Sequence, residues 1–218
     1  MIRLVIADDH ALMRSGMRVM LDAEEDMRVV AEAADGGDAV EAVRRTTPDI
    51  LVTDVRMPEV DGIEATRRIV AAGLPTRVLM ITTFDLDRYV YAGLEAGASG
   101  FLLKDAKPGE LVHAVRTIAA GDALLAPTVT RRLVEHFVGR PRTSPEVEAR
   151  IAELSERELT VLRQLARGLS NAEIGAELYL AEATVKSHIT RLLAKLGLKS
   201  RTQAVVFAYE HRLVRRSS

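Results

Sequence analysis

Five short apolar runs, alternating with segments of helical periodicity, constrain this chain more than any other feature. The runs are residues 4–7, 29–31, 50–53, 78–82 and 101–103, bounded by polar residues. Between them Leu12, Met13, Met17, Met20 and Leu21 fall at helical spacing, as do Ala39, Val40 and Val43, then Ile63, Ile69 and Val70. Pro108 and Leu111 open a last helix carrying Val112, Val115 and Ile118, with proline at a tolerated early position. Near-continuous apolar strands alternating with helices predict an α/β fold, a five-stranded doubly wound parallel sheet covered on both faces. In such folds ligands sit beyond the carboxyl ends of the strands.

Four of those ends carry chemistry. The first strand runs into Asp8 and Asp9, the third into Asp54, the fourth into Thr82 and the fifth into Lys104. Singly, each has a bland explanation: an aspartate at a strand end is usually a turn or cap residue, and a lysine there a solvated charge. Together, in this order, they predict one polar cluster on one edge of the sheet. Clustered carboxylates raise one another's pKa unless a cation neutralises them. A hard divalent ion such as Mg²⁺, which takes one or two carboxylates and accepts phosphate oxygens, suits the set. Aspartate can accept a phosphoryl group as an acyl phosphate, with Lys104 as a point charge and Thr82 as a hydroxyl donor to its oxygens.

These residues lie in the stretches IADDH (6–10), TDVRMPEVDG (53–62), MITTFD (80–85) and GFLLKD (100–105). Residues 1–122 thereby resemble the receiver domain of chemotaxis and transcriptional response regulators. The resemblance implies that Asp54 is the phosphorylation site. It implies Mg²⁺ held by Asp8, Asp9, Asp54 and the backbone carbonyl of Arg56. Lys104 then pairs with the phosphoryl group, Thr82 is the switch hydroxyl, and Phe101 is the switch aromatic that packs into the space Thr82 leaves. Two features depart from the common receiver pattern: Asp105 rather than proline follows Lys104, and Arg56 and Phe84 stand at positions resembling those that tune phosphoryl lifetime.

At 218 residues the chain is comfortable for two domains, and its charge divides accordingly. Residues 1–122 hold 14 basic and 21 acidic side chains, a net of −7; residues 123–218 hold 16 and 10, a net of +6. A basic second half suits a polyanionic partner. Residues 123–150 read as a linker, with a short helix over 128–138 and the most flexible part at 139–146, where Gly139, Pro141 and Pro145 cluster. Residues 151–218 read as an all-α unit of four helices. The first opens on the capping box Ser155-Glu156-Arg157-Glu158 and ends at Gly168; the second starts at Ser170. The third spans 182–196, stopped by Gly197, and the fourth spans 201–211.

With Val185, Ile189, Leu192 and Leu196 inward, the third helix presents Thr184, Lys186, Ser187, Thr190, Arg191 and Lys195. A net-basic polar face on a helix that follows another after a tight turn is the helix-turn-helix arrangement. LSERELTVLRQLARGLSNAEIGAEL (154–178) and TVKSHITRLLAKLGLKSRTQAV (184–205) resemble the LuxR-type helix-turn-helix of the NarL/FixJ regulators. That resemblance implies base reading by Lys186, Ser187 and Thr190. It implies phosphate contacts from Thr184, Val185 (through its backbone), His188 and Arg191, and a dimer surface on the fourth helix. The implied partners are a sensor histidine kinase, double-stranded promoter DNA, a second copy of the chain on activation, and RNA polymerase.

Other classes fit less well. Arg56 stands where an aspartyl phosphatase needs a second aspartate, and no glycine-rich phosphate loop is present, so an independent enzyme is not expected beyond slow self-dephosphorylation. A receiver reduced to a dimerisation module would lack part of the five-residue set, which is complete here. RNA binding lacks a stacking motif, with 4 Tyr, 4 Phe and no Trp. The absence of Cys excludes disulfides and thiolate metal sites. Asp8 and Asp9 interrupt the first apolar run, so neither signal peptide nor membrane span is expected, and the cytoplasm is the expected location.

Overall fold

The structure, a computed structural model, describes residues 1–82, 86–122, 145–211 and 213–214. The helix expected at 128–138, most of the segment 139–146 and Phe84 lie outside the described residues. The chain divides into two compact units, Met1–Ala126 and Pro127–Ser218.

In the first unit the elements run β1 (Ile2–Ala7), α1 (Ala11–Asp22), β2 (Met27–Ala33), α2 (Gly36–Thr46), β3 (Ile50–Asp54), α3 (Gly62–Ala71), β4 (Arg77–Thr82), α4 (Leu86–Ala96), β5 (Gly100–Leu103) and α5 (Pro108–Ala119). The strands form one parallel sheet in the order β2-β1-β3-β4-β5, with Val5 beside Leu51 and Thr53 beside Met80 in register. The order reverses between β1 and β3, so the crevice for a ligand opens at the ends of those two strands. β3 is buried along its whole length, which is why its sequence shows no polar alternation.

Side chains alternate between the faces with the strand period of two. Leu4 and Ile6, Ile50 and Val52, and Leu79 and Ile81 join Met17 and Leu21 of α1 and Leu111, Val115 and Ile118 of α5 in one core cluster. The opposite set, with Val5, Leu51 and Met80, belongs to the face covered by α2, α3 and α4. Truncating a fully buried member such as Leu4 or Ile50 to alanine is expected to cost about 2–5 kcal/mol, because the cavity collapses only partly.

The second unit contains α6 (Pro145–Ala152), α7 (Glu156–Ala166), α8 (Asn171–Leu178), α9 (Glu182–Leu196) and α10 (Arg201–Glu210). The last four are the helices expected from sequence. Their boundaries follow from capping. Ser155 Oγ accepts from the Glu158 amide at 3.2 Å while the Glu158 carboxylate accepts from the Ser155 amide at 2.9 Å, and Ser170 with Glu173 repeats the device at α8. Gly197 ends α9 in the left-handed conformation, at φ 69°. Val161, Leu162, Leu165, Ile174, Val185, Leu192 and Ala204 form the buried interior.

α6 begins at Pro145, inside the stretch 123–150 read from sequence as the linker. It has proline first, Glu146 and Glu148 in the first turn and Arg150 in the last, all favourable to a helix. It buries no residue, however, so it lacks the apolar stripe that periodicity detects.

Candidate phosphoacceptor site and nucleic-acid interface

At the carboxyl edge of the sheet Lys104 joins two aspartates from different strands. Its Nζ lies 2.5 Å from Asp54 Oδ2 and 2.9 Å from Asp8 Oδ2. Asp8 is fully buried, and Asp54 and Thr82 are only 7% and 4% exposed. The Lys104 amide donates to the Thr82 carbonyl at 2.8 Å, which fixes the end of β5 beside the end of β4. Burial alone would lower the Lys104 pKa, but the ammonium's bonds to the Asp54 and Asp8 carboxylates outweigh it and hold the pKa above the ordinary lysine value.

The β3–α3 loop closes over this pocket. The Gly62 amide donates to the Val55 carbonyl at 3.0 Å, and a Cβ on Gly62 would stand 2.1 Å from the Asp54 carbonyl oxygen, so only glycine permits the approach. Asp61 caps α3 by accepting from the Glu64 amide at 2.7 Å. Arg56 enters through its backbone amide, which donates to Asp54 Oδ1 at 3.3 Å.

Of the residues expected from sequence, Asp8, Asp54 and Lys104 are in direct contact, and Thr82 ends the neighbouring strand. Asp9 is less buried and meets His10 Nδ1 at 2.7 Å; the ligand atoms of Asp8, Asp9 and His10 lie within 4.8 Å of one another. The donor set fits a hard divalent ion: carboxylates from two strand ends converge, and two of them already share the charge of Lys104. Sequence reasoning missed two residues here. The His10 amide donates to Asp8 Oδ1 at 2.8 Å, and Arg14 donates to the Asp8 carbonyl at 2.6 Å. Only position relative to IADDH could have flagged them.

Phe101, expected as the switch aromatic, is 2% exposed in this structure. Gly93 of α4 makes room for the ring: a Cβ there would lie 2.5 Å from Phe101 Cζ and 2.6 Å from Met80 Sδ.

In the second unit the chain turns into α9 at Tyr179, which sits in the left-handed conformation at φ 56°, and Gly175 of α8 lets the turn pack closely. A Cβ on it would meet the Leu180 carbonyl oxygen at 2.7 Å, and the Leu180 amide donates to the Gly175 carbonyl at 2.8 Å. Arg201 ties the start of α8 to α10 through Asn171 Oδ1 and the Leu169 carbonyl. On α9, Val185, Ile189, Leu192 and Leu196 are buried, whereas Thr184, Lys186, Ser187, Thr190 and Arg191 are exposed. His188 is half-buried, and its Nδ1 has no hydrogen-bond partner among the described residues. Lys186 leans on Glu182 at 2.8 Å.

Lys195 departs from the expected face. Its Nζ binds Glu158 Oε2 at 2.7 Å and the Glu153 carbonyl at 3.0 Å, which makes it an anchor of α9 rather than a free cation. Lys195 first, then the Ser155 amide, hold the Glu158 carboxyl below its ordinary value against the pull of burial.

A doubly wound sheet with a lysine-bridged aspartate pocket, together with a helix-turn-helix unit, defines a class of DNA-binding regulators that carry an acidic receiver site. Residues 4–116 match the family described as the response regulator receiver domain, and residues 152–208 match the bacterial regulatory proteins of the luxR family. The chain is 42% identical over 215 residues to the uncharacterized transcriptional regulatory protein YxjL of Bacillus subtilis, covering 98% of this chain and 97% of that one. It is 39% identical to the oxygen regulatory protein NreC of Staphylococcus carnosus, covering 97% and 99%. Among solved structures, the response regulator ChrA of a heme-sensing two-component system is 41% identical, with a TM-score of 0.53 and coverage of 97% and 98%. The chain belongs to the two-component response regulators of the NarL/FixJ type, with a receiver domain and a LuxR-type DNA-binding domain. Among the described residues no helix is long and apolar enough to cross a membrane.

Proposed function

We propose that Asp54 is the phosphoacceptor of this regulator and that its Mg²⁺-dependent phosphorylation switches a sequence-specific transcription factor. The observation that supports this reading is the Lys104 ammonium held between Asp54 and Asp8 at the switch point of the sheet. In the reaction an Asp54 carboxylate oxygen bonds to phosphorus while the P–N bond of a kinase phosphohistidine breaks, its electron pair returning to the imidazole nitrogen. Lys104 then follows the phosphoryl oxygens as a point charge, and the Thr82 hydroxyl donates to another of them. Asp8, Asp9, Asp54 and the Arg56 carbonyl would hold Mg²⁺, which supplies charge neutralisation for the transferring group. The protein turns over no separate substrate beyond slow loss of its own phosphoryl group.

Residues 1–122 act as the receiver and the unit from residue 151 onward as the DNA-binding domain. Lys186, Ser187 and Thr190 read base edges, while Thr184, the Val185 backbone, His188 and Arg191 contact phosphates. A dimer formed on activation, through α10 in this family's manner, matches two half-sites by its two-fold symmetry. The partners are a cytoplasmic sensor kinase domain, promoter DNA and RNA polymerase. Thr82 acts as the switch hydroxyl and Phe101, 2% exposed in this structure, as the switch aromatic.

Light scattering with Mg²⁺ and a small-molecule phosphodonor tests this, together with mass spectrometry of wild type and Asp54→Asn. A phosphoryl adduct and a shift to dimer in wild type alone are expected. An adduct without the shift would move the coupling to release of the DNA-binding unit. No adduct would end the phosphoacceptor reading.

A further inference from the structure

We infer that Arg14 is a positioning residue for the acidic site: it fixes the Asp8–Asp9 peptide and thereby sets the site's affinity for Mg²⁺. This rests on the phosphoacceptor reading above and names a residue that reading does not use. α1 opens at Ala11 behind His10, an N-cap whose side chain makes no capping bond, and its first turn has no acidic residue. No side-chain cap therefore holds the start of α1, and the turn Asp8-Asp9-His10 is restrained locally by the His10 amide, which donates to Asp8 Oδ1 at 2.8 Å.

Arg14 supplies a restraint from within the helix. Long helical side chains point back toward the N-terminus, and the Arg14 guanidinium donates to the Asp8 carbonyl at 2.6 Å. Its Nε faces Glu32 Oε2 of β2 at 3.3 Å, and Arg18 takes the other oxygen of Glu32 at 2.6 Å. Arg14 is thus oriented by the neighbouring strand before it reaches the turn.

Three polar atoms of Asp8 are then hydrogen-bonded and the fourth, Oδ2, is held by an ion pair alone. Its amide donates to the Ala33 carbonyl at 3.2 Å, its carbonyl accepts from Arg14, Oδ1 accepts from the His10 amide at 2.8 Å, and Oδ2 meets Lys104 at 2.9 Å. The carbonyl belongs to the peptide plane that leads into Asp9, so fixing it fixes the direction in which Asp9 leaves the strand. Asp9 needs that help most, because its side chain is 31% exposed and is met by His10, itself 73% exposed. Glu32 offsets the charge of Arg14, so the restraint is chiefly geometric rather than a repulsion of the incoming cation.

The test is Mg²⁺ binding to the full chain by titration calorimetry, with thermal unfolding in metal-free buffer as the control for folding. Arg14→Met is expected to bind Mg²⁺ about tenfold more weakly, the range seen when partners of metal ligands are removed. Its maximal rate of Asp54 phosphorylation at saturating Mg²⁺ should change much less. Glu32→Gln, which leaves Arg14 in place but loosens it, should weaken binding about two- to threefold and decides the matter if Arg14→Met does not fold. Unchanged Mg²⁺ affinity in a folded Arg14→Met, or in Glu32→Gln where it alone folds, would overturn the inference while leaving the phosphoacceptor reading intact. A wild-type chain that binds no Mg²⁺ would sink both.

Discussion

In the receiver unit the functional charges are buried and face one another, whereas in the DNA-binding unit they stand apart on one exposed side of α9. Asp8, Asp54 and Lys104 form a closed set in which two carboxylates share one ammonium. Lys186 and Arg191 are each exposed to solvent, and Lys186 pairs with Glu182 one helical turn away. Buried charge in a low-dielectric pocket is strongly coupled and intolerant of loss; exposed charge is screened and nearly additive. A chemical switch needs the first arrangement, because a new phosphoryl charge must be felt at a distance. A DNA-reading surface needs the second, because it must meet a polyanion without first breaking itself apart.

The largest expected difference follows from removing one cation from each region. Lys104→Met would leave Asp8 and Asp54 facing each other without compensation. We expect a cost of about 3 kcal/mol in urea unfolding without divalent ion, much of it recovered on adding Mg²⁺. Arg191→Met, exposed on α9, should change unfolding by less than about 0.5 kcal/mol. Equal costs at the two sites would break the contrast between coupled and independent charge.

On DNA the contrast inverts. Arg191→Ala should weaken binding similarly on all sequences and reduce the slope of log affinity against log salt by about one, as expected for one lost phosphate contact. Lys186→Ala should instead cost about 1–3 kcal/mol at one base pair and relax specificity there. Affinities on wild-type and single-mismatch duplexes at several salt concentrations separate the two. If Lys186→Ala altered only the salt slope, base reading would have to pass to Ser187 and Thr190.

The same contrast explains what the sequence disclosed. The receiver sheet was legible because its buried strands are continuous apolar runs, and four strand ends marked the pocket. α7 to α10 were legible from capping boxes and glycine stops. α6 was missed because none of its residues is buried and it carries no apolar stripe. Arg14 and the anchored role of Lys195 were missed for a different reason. Both depend on which partner a long, flexible side chain reaches, 6 residues away at Asp8 and 37 residues away at Glu158. Spacing can say that a charge lies on a face; it cannot say what that charge touches across the fold. Phe101 shows the same limit, since its burial depends on the missing Cβ of Gly93 on another element.

Glu158 is the exception within the DNA-binding unit, a buried carboxylate among exposed functional charges, and it sharpens the comparison at its smallest scale. It is 3% exposed, caps α7 and holds Lys195 of the recognition helix. Its folded pKa lies below the ordinary value of 4.5, so the stability it contributes is present above that pH and is lost as pH falls through the folded value. Glu158→Gln can keep the bond from the Ser155 amide and loses only the charge, so the expected cost is about 1 kcal/mol or less at neutral pH. That difference should begin to shrink as pH falls through the ordinary value of 4.5 and reach zero once pH has passed the lower folded value, where wild-type Glu158 is itself neutral. Amide exchange along α9 in the full chain reads it, because the Lys195 anchor and not the bulk of the core is what the substitution loosens. A difference that stayed constant as pH fell from 7 through the folded value would mean that Glu158 acts through shape alone, and that the charge partnership with Lys195 contributes nothing to the placing of α9.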